Sequence, residues 1–155
     1  MADPASSGWS LPRLRIDREG VWFAEDGEVT HAGIVANLWS NLRVDAGDHF
    51  LEVGPLRIPV EVEDAPFVVL RVEREGAGLT LTINDLSREP LPAETLRLGP
   101  DEVPYCRVKA GRFDARFSRA AAYELLQLVE YDETSGRGTL VLGGRRYPLE
   151  RRERA

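Results

Sequence analysis

The chain has 155 residues, the usual size of one domain, and folding at this length buries roughly 70% of the surface that the unfolded chain exposes. Hydrophobic residues make up 43% and charged residues 30%, which excludes wholesale disorder. The net charge of -6 argues against a broad nucleic-acid surface, because such a surface needs a concentrated basic face. Cys106 is the single cysteine, so an internal disulfide and a multi-cysteine metal site are excluded.

Both ends of the chain look irregular. Residues 1–12 combine Pro, Ser, Gly and Ala without periodicity, which predicts a mobile N-terminal tail, and residues 151–155 are expected to form a short C-terminal tail. The start has neither the basic nor the apolar region of a signal peptide, and no apolar run approaches the roughly 18 to 20 residues that cross a bilayer. We therefore expect a cytoplasmic protein with no membrane partner.

After the tail, turn signals recur at the spacing of short strands. His49–Val53 and Leu56–Glu63 flank a Gly54-Pro55 turn and predict a first hairpin, whose second strand alternates apolar with charged residues. Pro59 has no N–H to donate, so we expect its strand to lie at a sheet edge or to turn that position outward.

Two further hairpins are marked by glycines between alternating runs. The first joins Phe67–Glu73 to Leu79–Ile83, and the second joins Thr139–Leu142 to Arg145–Leu149. The second has Gly143-Gly144 as its loop, a pair that adopts positive φ angles without strain.

Two segments have helical spacing instead. Thr30 is a possible N-cap for a helix with Ile34, Leu38 and Leu42 on one face. Asp114 or Ser118 is a possible N-cap for a second helix, whose apolar face comprises Phe117, Ala121, Leu125 and Leu128.

The order of these elements predicts an internal duplication. Each helix follows a strand-like segment and precedes a hairpin whose closing strand carries a proline, Pro59 in one half and Pro148 in the other. We therefore predict a β-rich α+β fold made of two related strand-helix-hairpin repeats packed together, with residues 13–98 as the N-terminal repeat and 99–150 as the C-terminal repeat.

The sequence contains no constellation typical of catalysis. A Gly-x-Ser-x-Gly elbow, a Walker A loop and a Gly-x-Gly-x-x-Gly turn are all missing. His31, His49 and Cys106 are too far apart in the chain for the short ligand spacing of a zinc site. Cys106 is either a thiolate stabilised by Arg107 or a buried, inert thiol. We expect a non-catalytic protein without a cofactor or a metal.

Three carboxylates fall within four residues at the end of an alternating strand: Glu61, Glu63 and Asp64. They could hold a divalent cation, or one could act as a base whose pKa its neighbours raise. The structural alternative is that Asp64 bonds turn N–H groups while the glutamates face water.

A ligand site can be built around these carboxylates. Arg57 lies on the same strand face as Glu61 and Glu63, so the strand offers a cation for a phosphate and acceptors for hydroxyl groups. Tyr105 and Arg107 would add an aromatic surface and a second cation if the repeats face one another.

Four segments resemble a known family: Ile16 to Phe23, Val62-Glu-Asp-Ala-Pro-Phe67, Asp101 to Tyr105, and Ser118-Arg119 before the helix that contains Tyr123. On these residues the chain resembles the bacterial family known as domain of unknown function 1285. The resemblance implies an α+β fold of two repeats, the second similar to a pleckstrin-homology roll, with a groove for a nucleotide-like ligand in signalling. It implies no activity. In that family's pattern the hairpin before Val62 carries Thr-Pro-Val-Glu-Lys, and of this only the basic charge is present here, at Arg57.

Three functions therefore compete. The leading hypothesis is a non-catalytic small-ligand or sensory module, with a nucleotide-like molecule as its ligand. The second is an adaptor or assembly domain that uses an exposed strand edge near Pro59 or Pro148. The third is a hydrolase built on the carboxylate cluster and His49, which requires a carboxylate with a strongly raised pKa in a cleft. The number of subunits stays open.

Overall fold

The computed structural model describes residues 13–25 and 27–151, so the predicted tails at 1–12 and 152–155 lie outside the described residues. The fold is mixed α+β with 49% strand, as the sequence predicts. The backbone forms two compact units that divide between Asp64 and Ala65, whereas the sequence predicts a boundary at 98/99. Unit 1 denotes the described residues up to Asp64, and unit 2 those from Ala65 onward. None of the described helices is long and apolar enough to span a membrane.

Unit 1 contains one sheet and one helix. In chain order its elements are β1 (Leu14–Ile16), β2 (Trp22–Ala24), β3 (Gly27–Glu28), α1 (Ala32–Asn41), β4 (Leu42–Asp45), β5 (Asp48–Val53) and β6 (Leu56–Val62). The strand order is β3-β2-β1-β6-β5-β4, in which β1 and β6 are parallel and the other neighbours are antiparallel. The buried side chains include Ile16, Trp22 and Val60.

The first predicted hairpin is confirmed, because β5 and β6 pair across Gly54-Pro55. Of the two alternatives predicted for Pro59, the edge position is wrong, since β6 lies between β5 and β1, and the outward orientation is confirmed by the exposure of Pro59. Pro59 is nevertheless tolerated there. Its ring is exposed, and it precedes the three residues of β6 that pair with β1, so its missing N–H removes no bond from that ladder.

The N-cap of helix α1 lies one residue later than predicted. The N-cap is His31 and not Thr30, and the imidazole Nδ1 of His31 accepts the backbone N–H of Ile34 at 3.3 Å. This bond satisfies one of the free N–H groups of the first turn. No residue of α1 is buried.

Unit 2 contains two sheets and one helix. Its elements are β7 (Phe67–Glu75), β8 (Gly78–Ile83), β9 (Arg88–Pro90), β10 (Arg97–Leu98), β11 (Pro104–Val108), β12 (Phe113–Phe117), α2 (Arg119–Leu126), β13 (Val129–Tyr131), β14 (Gly138–Leu142) and β15 (Arg145–Pro148). One sheet has the order β10-β11-β12-β7-β8-β9, with β12 and β7 parallel. The other is the antiparallel meander β13-β14-β15.

The predicted hairpins of unit 2 agree with the structure. The second hairpin is confirmed as β7 and β8, and the third as β14 and β15. Gly143 and Gly144 have φ angles of 55° and 81°, the positive values that their loop requires. Helix α2 begins after Ser118, whose Oγ accepts the N–H of Ala121 at 3.1 Å, while the alternative cap Asp114 lies within β12.

The strand pairing supports the predicted duplication. Ile16 of β1 pairs in parallel with Val62 of β6. In unit 2, Leu98 of β10 forms a parallel bridge with Arg151, immediately after the chain leaves β15. If β10 corresponds to β1 and β15 to β6, these are the same contact. Each unit then shows three strands, a helix and a three-stranded meander in the same order.

The register matches at other points as well. Pro59 pairs with Phe50, and Pro148 pairs with Thr139 at the corresponding positions of β15 and β14. Leu14-Arg15-Ile16 corresponds to Leu96-Arg97-Leu98 without insertion or deletion up to the aromatic residue of the next strand, Phe23 or Tyr105. In both units the arginine lies over that ring, with its guanidinium carbon 4.4 Å from the Phe23 centroid and 5.3 Å from the Tyr105 centroid.

Candidate ligand-binding site

Unit 2 contains a cavity of about 760 Å³ where β10 and the end of β15 meet the C-terminal end of α2. Eleven residues line it: Leu98, Glu102, Leu126, Tyr131, Gly136, Arg137, Gly138, Pro148, Leu149, Glu150 and Arg151. The backbone on one side is held by the bond from the N–H of Leu98 to the carbonyl oxygen of Glu150, at 2.9 Å. The cavity therefore lies beside the parallel bridge between Leu98 and Arg151, which has a counterpart within unit 1.

Two residues of the lining are smaller than their counterparts in unit 1. A Cβ atom at Gly138 would lie 2.7 Å from Val129 Cγ1 and 3.2 Å from Tyr131 Cε1, so the site accepts only glycine without rearrangement. The corresponding residue of unit 1 is His49, because the pair Tyr131 and Gly138 matches Val44 and His49 in register.

The second position is Leu126, which corresponds to Trp39. The N-caps His31 and Ser118 match, and so do the first residues of β4 and β13, with the same number of residues between them. Unit 1 thus has two large rings where unit 2 has a leucine and a glycine.

The cavity has an apolar wall and an aromatic rim. Leu149 is buried, Leu98 and Leu126 are half-buried, and the ring of Tyr131 is 57% exposed. Such a surface can pack against a planar or aliphatic group, and the exposed ring is available for stacking.

The charged groups of the lining differ in their partners. The guanidinium of Arg151 forms an ion pair with the carboxylate of Glu102. The guanidinium of Arg137 has no ion-pair partner among residues 13–25 and 27–151, and it is exposed at the cavity. Arg137 is therefore the cation that an anionic ligand would meet first.

The loop that carries Arg137 is ordered by its own hydrogen bonds. Asp132 Oδ1 accepts the backbone N–H groups of Thr134 and Ser135, at 2.7 and 3.2 Å, and these bonds hold the pKa of Asp132 below its usual value. The backbone N–H of Asp132 donates to the carbonyl oxygen of Arg137 at 2.9 Å, which closes the loop. The cation is thus presented by a closed turn.

The residues predicted from sequence in unit 1 make contacts within that unit. Arg57 lies over Phe50, with its guanidinium carbon 4.4 Å from the ring centroid, and its Nη1 is 3.7 Å from a carboxylate oxygen of Asp45. Glu61 Oε1 accepts a bond from Arg13 Nη2 at 2.8 Å. This bond and the charge of Arg13 lower the pKa of Glu61, which is the opposite of what a general base in a cleft requires.

The other two carboxylates differ in their surroundings. Glu63 Oε2 accepts the backbone N–H of Arg18 at 2.8 Å, so it anchors the turn between β1 and β2. Asp64 is half-buried at the end of unit 1. Among the described residues no group of three or more His, Cys, Asp or Glu side chains is arranged to hold a metal ion.

Tyr105 and Arg107 lie on β11 of unit 2. Tyr105 is buried, with Arg97 over its ring. Arg107 Nη1 donates to Asp114 Oδ1 at 3.2 Å, and its Nε donates to the carbonyl oxygen of Gly111. Both side chains therefore have structural partners, that of Tyr105 in β10 and those of Arg107 in β12 and the turn before it.

Cys106 is the buried, inert thiol of the two predicted alternatives. It is fully buried, and burial, together with the charge of Glu89, raises its pKa to about 12. A thiol with this pKa is protonated at neutral pH and is a poor nucleophile.

Two solved structures are similar to this chain. One is a DUF1285 family protein from Silicibacter pomeroyi DSS-3, with 26% identity, a TM-score of 0.73, and coverage of 92% of this chain and 85% of the other. The second is a DUF1285 family protein from Shewanella baltica OS155, with 20% identity, a TM-score of 0.65, and coverage of 75% and 91%. No family model and no curated protein matches the chain.

The fold is that of the DUF1285 proteins. The resemblance found in the sequence is therefore confirmed. Within this DUF1285 fold, sequence reasoning missed Tyr131, Arg137 and Gly138. The only sequence signal there is the polar run Asp132 to Gly136, which marks a turn between two strands. The space beside that turn becomes apparent only when Gly138 is matched to His49, and this requires the strand register.

Proposed function

We propose that this chain is a non-catalytic binding module and that the cavity of unit 2 takes a small anionic molecule with an aromatic or aliphatic part. The observation that carries the proposal is the exposed guanidinium of Arg137, which has no ion-pair partner among the described residues, at a cavity of about 760 Å³. That volume falls in the range of roughly 300 to 1,000 Å³ that small-molecule sites occupy.

The composition of the lining supports this ligand class. Tyr131 offers a stacking surface, Leu98 and Leu149 form an apolar wall, and Arg137 supplies a bidentate donor for a phosphate or carboxylate. A nucleotide-like molecule combines a planar ring with such an anion. We therefore retain it as the ligand class, with bacterial signalling as the setting that the resemblance implies and the cytoplasm as the location expected from the sequence.

The hydrolase alternative has weaker support. Glu61 has a lowered pKa, and the thiol of Cys106 is buried with a raised pKa. Neither group has the properties of an activated base or nucleophile.

Thermal-shift measurements test the proposal. The probes are adenosine monophosphate and a cyclic dinucleotide, with adenosine and inorganic phosphate to separate the ring from the anion. A ligand at 100 times its dissociation constant adds about 2.7 kcal/mol of stability. We expect stabilisation by a nucleotide, and we expect it to be lost in Arg137→Ala.

The matched control is Arg145→Ala. This substitution removes the same charge from an exposed position of β15, in the sheet that adjoins the Arg137 loop and outside the cavity lining. The control should respond to the ligand as the parent does. Stabilisation that persists in Arg137→Ala but disappears in the double variant Arg57→Ala, Arg107→Ala would overturn the cavity assignment and favour the site predicted from the sequence.

A further inference from the structure

Unit 1 ends at an open sheet edge beside a helix with an exposed apolar side. Strand β3 is the last strand in its sheet order, and both of its residues are exposed. Helix α1 has no buried residue, and Ile34 is 51% exposed. We call the surface formed by residues 27–30, Ile34, Asn37 and Leu38 the β3–α1 face.

The corresponding surface of unit 2 is covered by a strand. β7 pairs in parallel with β12, the counterpart of β3, through Ala115 with Phe67 and Arg116 with Val68. The N–H of Ser118 then donates to the carbonyl oxygen of Val69 at 2.9 Å. The repeat therefore shows what kind of element fits such a face, which is an extended aliphatic segment parallel to the edge strand.

Helix α2 packs against β7. Ala121 and Leu125 are fully buried on the side of α2 that packs on β7. Glu124 Oε1 accepts the backbone N–H of Val72 at 3.0 Å, and Glu124 Oε2 accepts a bond from Arg71 Nε at 3.3 Å.

Helix α1 has the same pattern of positions. With His31 matched to Ser118 and Leu42 to Val129, Ile34 corresponds to Ala121, Leu38 to Leu125 and Asn37 to Glu124. Asn37 is exposed, and its Oδ1, which accepts a bond from Asn41 Nδ2 at 3.2 Å, has a second lone pair that can accept a backbone N–H of a strand, as the carboxylate of Glu124 does. The β3–α1 face therefore offers apolar contacts and a polar group where β12 and α2 hold β7.

A buried donor lies beside the same helix, at Trp39. Trp22 is 2% exposed, and its indole N–H has no acceptor among the described residues. Its ring packs edge-to-face against Trp39 of α1, with centroids 5.2 Å apart. The residue of unit 2 that corresponds to Trp22 is Pro104, which has no side-chain donor. A buried donor without an acceptor costs stability, so unit 1 has a polar group beside α1 that its own fold leaves unsatisfied.

We propose that the β3–α1 face binds an extended, aliphatic and basic segment of a partner protein, which adds to the sheet as a strand parallel to β3. Ile34 and Leu38 pack against its side chains, and Asn37 bonds its backbone. This is recognition by strand addition, in which main-chain bonds give affinity and side-chain pockets give specificity.

Charge favours a basic partner over a second copy of this chain. Glu28 lies in β3 and Glu25 shortly before it, and both side chains are exposed. Pairing two copies edge to edge through β3 would bring these carboxylates together, and like charges facing across a strand pair are destabilising. The net charge of -6 adds to the repulsion between copies.

The probe is a peptide with the sequence of residues 67–72 followed by two lysines, because this segment covers the equivalent face in unit 2. Calorimetric titration of the full chain should show saturable binding, and amide resonances of residues 27–38 should shift in NMR spectra. A peptide that ends in two glutamates should bind at least about tenfold more weakly.

Two variants locate the contact. Ile34→Asp should weaken peptide binding by about tenfold or more, because its carboxylate would have to be desolvated beside an aliphatic segment. Ala36→Asp adds the same charge to the outward side of α1, at the position that corresponds to the exposed Tyr123, and should bind within about twofold of the parent. Neither residue is buried, so both variants should fold.

Each other result overturns the proposal. No saturable binding, or equal weakening by the two variants, removes the β3–α1 face as a binding surface. Equal affinity for the lysine and glutamate peptides removes the basic partner. Self-association in sedimentation that Ile34→Asp abolishes would show that a second copy occupies the face. Peptide binding that appears only after deletion of residues 1–12 would show that the chain's own N-terminal segment occupies it.

Discussion

The repeats of unit 1 and unit 2 have the same order of strands and helix. Residues of the helix are buried only in unit 2. Ala121 and Leu125 of α2 are fully buried, whereas Ile34 of α1 is half exposed. The difference follows from the strands β7 to β9, because β7 extends the sheet beside β12 and lies against α2. An identical topology therefore does not give an identical core.

The second difference lies at the opposite side of each helix. Trp39 and His49 of unit 1 stand where unit 2 has Leu126 and Gly138. Leu126 and Gly138 line a cavity in unit 2. One repeat thus has an apolar face open to an added strand, and the other has a cavity open to a small molecule.

The largest expected effect is a core deletion in one helix compared with the same deletion in the other. Leu125→Ala should lower the free energy of unfolding by about 2 to 5 kcal/mol, because Leu125 is fully buried. Leu38→Ala at the corresponding position should cost less than about 1.5 kcal/mol, because Leu38 is only half-buried. Urea unfolding of both variants measures the difference. Equal losses would mean that α1 is packed as α2 is.

A smaller effect is expected from the paired arginines. Arg97 is 9% exposed, and its Nη2 lies 3.0 Å from Asp114 Oδ1. Arg97→Ala should cost about 2 to 3 kcal/mol, because it leaves a half-buried carboxylate with Arg107 as its remaining ion-pair partner. Arg15→Ala should cost less than about 1 kcal/mol, because the guanidinium of Arg15 lies over the face of Phe23.

The midpoint of urea unfolding again measures both changes. Arg97→Lys is the control, because it keeps the charge but loses the planar group that lies over Tyr105. If Arg97→Ala and Arg15→Ala had the same effect, the two arginines would be equivalent in energy as well as in position.

The sequence predicts the local elements of this fold well. Alternation and glycine turns located three of the hairpins, and the spacing around Ile34 and Leu125 located both helices. These features depend on neighbours in the chain, such as the positive φ angles that Gly143 and Gly144 adopt. Local chemistry was therefore a sufficient guide to them.

Features set by distant residues were not predicted. The edge position of Pro59 was wrong because the pairing of β6 with β1 joins segments more than forty residues apart, which no local pattern reveals. The strands β7 to β9 belong to the second compact unit because β7 pairs with β12, another distant contact. The cavity was missed for the same reason, since the match between Gly138 and His49 depends on strand register.

The tight turns of the two closing hairpins give a third comparison. Replacing Gly143 and Gly144 together by valine should cost about 1 kcal/mol or more per site, because both have positive φ. In unit 1 only Gly54 of the corresponding turn has positive φ, so Gly54→Val should cost about half as much. Thermal melting measures both. Gly78→Val is the control, because Gly78 has no positive φ and open space around its Cβ direction. A double variant as stable as the parent would contradict the turn assignment.

The smallest change in stability, and a clear chemical difference, is expected at Cys106 and its counterpart. The register of β2 and β11 matches Ala24 to Cys106. Cys106 is fully buried with a pKa of about 12, whereas Ala24 is half-buried. At pH 8.5 a thiol with this pKa has a thiolate fraction about a thousandfold below that of an ordinary cysteine.

Iodoacetamide should therefore leave the native parent unlabelled at pH 8.5 and should label it fully in urea. A variant that combines Cys106→Ala with Ala24→Cys keeps one thiol and moves it to the equivalent strand position of unit 1. It should be labelled while folded, because its thiol is reached by solvent and is not held protonated by burial. Mass spectrometry over time gives both rates. Rapid labelling of the native parent would mean that β11 opens readily, and resistance of the variant would mean that unit 1 encloses β2 as tightly as unit 2 encloses β11.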